Sequence, residues 1–167
     1  MKKLLASLLL ICTANTANAD EYEDLRDLVM MLVAASEVSS RDGRETGYYY
    51  LEELSRCVFV KHAHTTIKSI DKESGKAKYT VSESRVLFAL QTLKSDGETS
   101  KLETIDGEKT IPVQVSKHRA DGTTTRWART HQSWPIAIGF GNGPHIKRLV
   151  DHCRTYYNDR FNVEVSK

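Results

Sequence analysis

The sequence predicts an α+β fold: an antiparallel β-meander of about five to six strands, with N-terminal helices and a C-terminal helix packed on one face. Three observations predict it. Helical spacing marks both ends of the chain. The middle is rich in β-branched and aromatic residues. Asp-Gly pairs punctuate that middle at Asp96-Gly97, Asp106-Gly107 and Asp121-Gly122.

Each element has a local reason. Leu25, Leu28, Val29 and Leu32 follow the i, i+3, i+4, i+7 spacing of one apolar helical face, over residues 20–37. Asp20, Glu21, Glu23 and Asp24 crowd its first turn, where the helix dipole favours negative charge. Ser39 to Gly43 breaks the pattern. Tyr48, Leu51 and Leu54 predict a second, short helix ending at Arg56. From Cys57 the period changes. Val58–Ile70 and Lys78–Leu93, separated by the polar stretch Asp71–Gly75, predict a long hairpin. Asp-Gly favours two-residue hairpin turns, because both central positions need positive φ. Pro135–Ile138 is a further apolar run, and Pro144 sits where a helix begins readily. Ile146, Leu149, Val150, Cys153 and Tyr157 then share one helical face, which predicts that Cys153 points at the core. Asn158 and Asp159 are the expected end of that helix.

Residues 1–19 carry the pattern of a cleaved secretory signal of bacterial type. Lys2 and Lys3 precede an apolar run from Leu4 to Cys12, and Ala17-Asn18-Ala19 is a small-x-small cleavage site. The run is about half the ~20 residues that span a bilayer, so no permanent membrane anchor is expected. Ile11 before Cys12 does not fit a lipid-anchor signal. The expected product is a single domain, residues 20–167, in the periplasm or secreted. Cleavage removes Lys2, Lys3 and no acid from the 24 Lys+Arg and 22 Asp+Glu, leaving zero formal charge. Such a chain lacks the electrostatic footprint of a nucleic-acid binder.

Cys57 and Cys153 are the two cysteines beyond the signal. An even count in an oxidising compartment predicts a disulfide between them. Closing such a loop stabilises by ~4–5 kcal/mol in the chain-entropy model. The competing readings are two buried free thiols or a metal pair.

His62 and His64 lie two apart in a predicted strand, so their rings share a face and can supply two ligands to zinc or copper. Further ligands must come from His118, His131, His145 or His152, if the fold brings one in. The plainer reading is a pair of strand histidines, exposed or packed on a neighbour. For the hairpin at Asp121-Gly122, a two-residue turn sets Lys117 against Arg126 and Val115 against Ala128. Ile111, Val113, Val115, Ala128 and Thr130 then form the core face. Gln114, His118, Trp127, Arg129 and His131 form the other, a partner-binding candidate with the composition of a recognition hot spot. Gly141, Asn142, Gly143, Lys147 and Arg148 are a candidate anion site, because free N–H groups at a helix start point outward. Tyr48-Tyr49-Tyr50 and Tyr156-Tyr157 flank the two cysteines; the expectation is that some of these rings, at least one of each cluster, pack around the disulfide, and the alternative is a binding surface of exposed tyrosines.

No Gly-x-Ser-x-Gly and no His-Glu-x-x-His occurs. The reading therefore leans away from an enzyme and expects no cofactor, although a dispersed active site stays open because triads assemble in space. The expected function is a small exported, non-catalytic binding module whose partner is another protein, in an inhibitor-like or immunity-like role. The alternatives are a small-ligand binder or enzyme with a site on the sheet face, and a metal-handling protein using His62 and His64.

Overall fold

A computed structural model describes residues 21–35, 38–39, 44–137 and 142–165. The predicted signal segment, 1–19, lies outside the described residues. Helix α1 covers 21–34. The strands are β1 (Val38–Ser39), β2 (Glu45–Ser55), β3 (Val58–Ile70), β4 (Ala77–Ala89), β5 (Leu93–Ser95), β6 (Lys101–Thr104), β7 (Ile111–Arg119), β8 (Thr124–His131) and β9 (Ser133–Pro135). Helix α2 is Gly143–Val165. The fold is α+β. An antiparallel sheet runs β1-β2-β3-β4-β7-β8, with the two-residue β1 at one edge, and β5-β6-β9 form a small second sheet.

The long hairpin forms from the two predicted runs, with Val58 opposite Ala89 and Ile70 opposite Ala77, but its second strand ends at Ala89 and not Leu93, because Leu90–Thr92 form a 3-10 turn. Two further expectations are corrected. Tyr48 to Arg56 is not a helix: Tyr48 to Ser55 lies in β2, pairs along most of its length with β3 and alternates exposed and covered side chains, and Arg56 lies in the turn that follows. Three consecutive tyrosines suit a pleated, half-buried surface. Tertiary pairing overrides the three-residue spacing of Tyr48, Leu51 and Leu54. The described residues therefore contain one N-terminal helix, not two. Helix α2 also continues past Asn158 and Asp159 to Val165.

Burial assigns the sheet's faces. Every buried residue of β2, β3, β4 and β7 lies on one side: Leu51, Phe59, Lys61, Val86, Phe88, Ile111, Val113 and Val115. The apolar ones join a core with Tyr22, Leu25, Val29 and Val33 of α1 and Ile146, Leu149, Val150 and Cys153 of α2. Leu28 and Leu32 flank the α1 stripe and are only partly covered.

Cys57 and Cys153 form the predicted disulfide, with Cα atoms 5.6 Å apart across a separation of 96 residues. Cys57 closes the tight β2–β3 turn at φ 67°, a left-handed conformation that favours glycine. The turn is held from three sides. The Cys57 amide donates to the Tyr22 hydroxyl at 2.9 Å. The Tyr157 hydroxyl donates to the Arg56 carbonyl at 3.2 Å. The Arg56 guanidinium lies between the Tyr22 and Tyr156 rings, 4.2 and 4.3 Å from their centroids. Burial, and then the hydrogen bond to Glu53, push the Tyr22 phenol above its ordinary range.

Candidate functional site

The sheet face away from the helices carries the larger concentration of exposed aromatic and ionisable groups. Two rungs cross it. In the first, Tyr48 pairs with His64, His64 with Glu83, and Glu83 with Ser116. In the second, Tyr50 pairs with His62, His62 with Arg85, and Arg85 with Gln114. Directly opposed antiparallel residues share a face, so each rung is a row of neighbouring side chains. The Tyr50 and His62 rings stack at 4.4 Å, inclined by 5°, and Tyr48 and His64 stack at 5.2 Å. A carboxylate backs each histidine: Glu52 lies 2.9 Å from His62 and Glu83 lies 3.7 Å from His64. His118 on β7 approaches the other Glu83 oxygen at 3.9 Å. Arg85 is exposed and makes no ion pair among the described residues.

Two depressions share His62 and Arg85. One, of about 140 Å³, is bounded by Tyr48, Tyr50, His64 and Glu83. The other, of about 450 Å³, is bounded by Leu54, Val60, Leu87, Pro112 and Gln114. Tyr48, Tyr50, Leu54, Tyr79 and Ile70 are exposed large apolar residues on this side.

The hairpin face predicted for partner binding is split by register. The turn has three residues, with the Arg119 amide bonded to the Thr123 carbonyl and Gly122 at φ 81°. The Asp121 carboxylate accepts from the Thr123 amide and hydroxyl and is thereby held below the ordinary carboxylate range. The extra residue pairs Val115 with Trp127 and Val113 with Arg129. Trp127, Arg129 and His131 therefore lie on the same side as Val113 and Val115, not opposite them. Trp127 is half-buried against the core, with the Arg129 guanidinium 5.5 Å from its ring. His131 packs edge-on to Trp134 at 4.6 Å. Gln114 and His118 stay on the open side. The predicted clash of Lys117 with Arg126 does not arise, because Lys117 faces Thr125 and Arg126 faces Ser116.

The residues of the anion candidate have partners of their own. Lys147 pairs with Asp151, and Arg148 reaches Glu21 of α1 at 3.0 Å, so both cations have carboxylate partners. Gly143 is required by packing: a Cβ there would stand 2.5 Å from the Gly97 carbonyl oxygen. The Asn142 carbonyl accepts from the Ile146 amide, and Gly141 lies outside the described residues.

No protein-family model, no curated protein and no solved structure matches this chain. Chemistry has to be read from the geometry alone. Among the described residues, no group of three or more His, Cys, Asp and Glu side chains is gathered to hold a metal ion. His62 and His64 share a face as predicted, but their rings lie against Tyr50 and Tyr48. The tyrosine clusters divide. Tyr156 and Tyr157 pack around the disulfide turn as expected, whereas Tyr48 and Tyr50 face outward. The signal for this was the His-x-His spacing itself, once Tyr48 to Tyr50 is recognised as the neighbouring strand.

Proposed function

We propose that the protein is an exported binding module that engages a partner protein through the open face of its larger sheet, around Tyr48, Tyr50, His62, Arg85 and Gln114. The observation that carries this reading is the stacked Tyr/His double row, its tyrosine rings exposed, beside an arginine that makes no ion pair among the described residues. Tyrosine and arginine dominate binding hot spots, and aromatic rings ordered in advance lose little entropy on contact. Arg85 offers a planar fork of donors suited to a partner carboxylate. The exposed apolar residues around it supply area that water solvates poorly. Export rests on the signal pattern of residues 1–19, and the Cys57–Cys153 disulfide supports an oxidising compartment. An inhibitor-like or immunity-like role is consistent with this surface and with a chain in which both mature cysteines are structural.

The test is site-specific photocrosslinking in the producing cells, with the crosslinker at position 50 or, as a control on another surface, at position 94. A discrete adduct at position 50 alone, weakened by Arg85→Ala, supports the proposal. Adducts of equal yield at both positions, or none at position 50, overturn it. Intact mass of the exported protein should correspond to a chain beginning at Asp20; retention of residues 1–19, or lipid on Cys12, refutes the export reading.

A further inference from the structure

A second site lies on the covered side of the sheet, where fully buried residues give way to partly exposed ones along the long hairpin. Lys61 stands at this boundary, in β3 between Leu51 and Val86, and is 4% exposed. Its ammonium donates to the Pro135 carbonyl at 3.1 Å and lies 4.6 Å from the Tyr49 ring centroid. No carboxylate pairs with it among the described residues, and burial alone pulls the amine down to about 8. A buried lysine ordinarily has an acidic partner, because an unpaired charge in a low-dielectric site is costly.

Beyond Lys61 the same face turns from apolar to hydroxylic. Ala63 faces Ser84, and Thr65 faces Ser82. Trp134 and Pro135 of β9 form the opposite wall. Together with Tyr49 these residues line a half-open cavity of about 190 Å³ that includes Lys61. Cavities of about 150 Å³ accept one benzene ring, so the space suits one ring or a short chain.

We propose that this cavity binds a small organic monoanion, a single carboxylate carried on one aromatic ring or short apolar chain. The carboxylate meets the Lys61 ammonium, and the apolar part lies against Tyr49 and Trp134. The charge count favours a monoanion: one cation lines the site. A carboxylate supplies the counter-charge that the fold withholds, and a charge-assisted hydrogen bond in such a site is about twice as strong as a neutral one. The seryl and threonyl hydroxyls can donate to the second carboxylate oxygen. This site is separate from the open face, and neither reading depends on the other.

The experiment compares benzoate with its neutral analogue benzamide on the oxidised protein, followed by amide chemical shifts and by the Trp134 indole signal. Saturable shifts at Ala63, Ser82, Ser84 and Trp134 are expected with benzoate at millimolar concentration or below, and binding at least ~10-fold weaker with benzamide. Lys61→Met should abolish the preference for benzoate, whereas Tyr50→Ala on the other face should leave it intact. Absence of saturable shifts, equal binding of both probes, or a preference retained in Lys61→Met overturns the proposal. Should Lys61→Met fail to fold, the two probes on the unaltered protein decide the matter.

Discussion

The two faces of the larger sheet are built from alternate residues of the same strands, yet they do opposite work. Phe59 and His62 are three residues apart in β3. Phe59 is fully buried beneath the helices, paired with Phe88, while His62 lies under an exposed tyrosine ring beside Arg85. On the covered side, apolar groups from β3, β4, β7, α1 and α2 meet in one cluster. On the open side, aromatic, histidine and carboxylate side chains form rows that contact one another and leave the tyrosine rings exposed. The comparison teaches that period-two alternation lets one strand bury a core and present a row of aromatic and ionisable groups at once. It also shows how much rides on register: one extra turn residue moved Trp127 from the predicted open side to the core side.

The sharpest way to break this comparison is to truncate one ring on each face. Phe59→Ala should cost about 3–5 kcal/mol in unfolding free energy, through lost burial and the cavity left behind. Tyr50→Ala should cost less than about 1 kcal/mol, measured by the same denaturant titration. Similar losses for the two variants would mean that something covers the open face.

The next effect concerns the turn that ties the covered side together. Replacing both Cys57 and Cys153 by serine should lower stability by about 4 kcal/mol, since the bond closes a 96-residue separation. The exported protein beginning at Asp20, denatured without reductant, should show no free thiol; a count of two would refute the disulfide. Because Cys57 sits at φ 67°, Cys57→Gly with Cys153→Ser should be more stable than the double serine variant by about 1 kcal/mol. Equal stability of the two would mean that the turn relaxes once the disulfide is gone.

A smaller effect, of opposite sign, comes from the boundary between the faces' buried and hydroxylic halves. Lys61 titrates near 8 in the fold, against 10.5 for an ordinary lysine. Across that window the unfolded chain binds more protons than the folded one, so the stability of the unaltered protein rises with pH. Relative to Lys61→Met, the gain should reach about 2–3 kcal/mol by the top of the window. At pH 7 the methionine variant should be the more stable of the two by about 1–3 kcal/mol. A methionine variant that is less stable at pH 7, with an unchanged pH profile, would show that the Lys61 ammonium is favourably paired.

Much of the fold was readable because its causes are local. The apolar stripe of α2 placed Cys153 on the core side without reference to any other element. The β3–β4 hairpin followed from two β-rich runs around a polar turn. The tyrosine strand was less readable: three aromatic residues fit a short helix as well as a strand, and pairing with β3 decides between them. The candidate site was visible only in pieces. His62, His64, Gln114 and His118 were singled out individually, but Tyr48, Tyr50 and Arg85 belong beside them only through pairing across four strands. Lys61 gave no local signal at all, since a lysine within a strand reads as solvated until its neighbours are known.

By itself the sequence determined most of the segments and their types, the tyrosine strand excepted, and the residues that bond covalently: periodicity, turn residues and cysteine parity act over a few neighbours or depend on composition. Tertiary structure alone decided which side of each strand is covered, which ring stacks on which histidine, and where a cation has no counter-charge among the described residues. Those outcomes depend on register and on which surface the helices occlude. Both are set by the sum of long-range contacts, in which a one-residue change of turn length exchanges every inward and outward side chain of a strand.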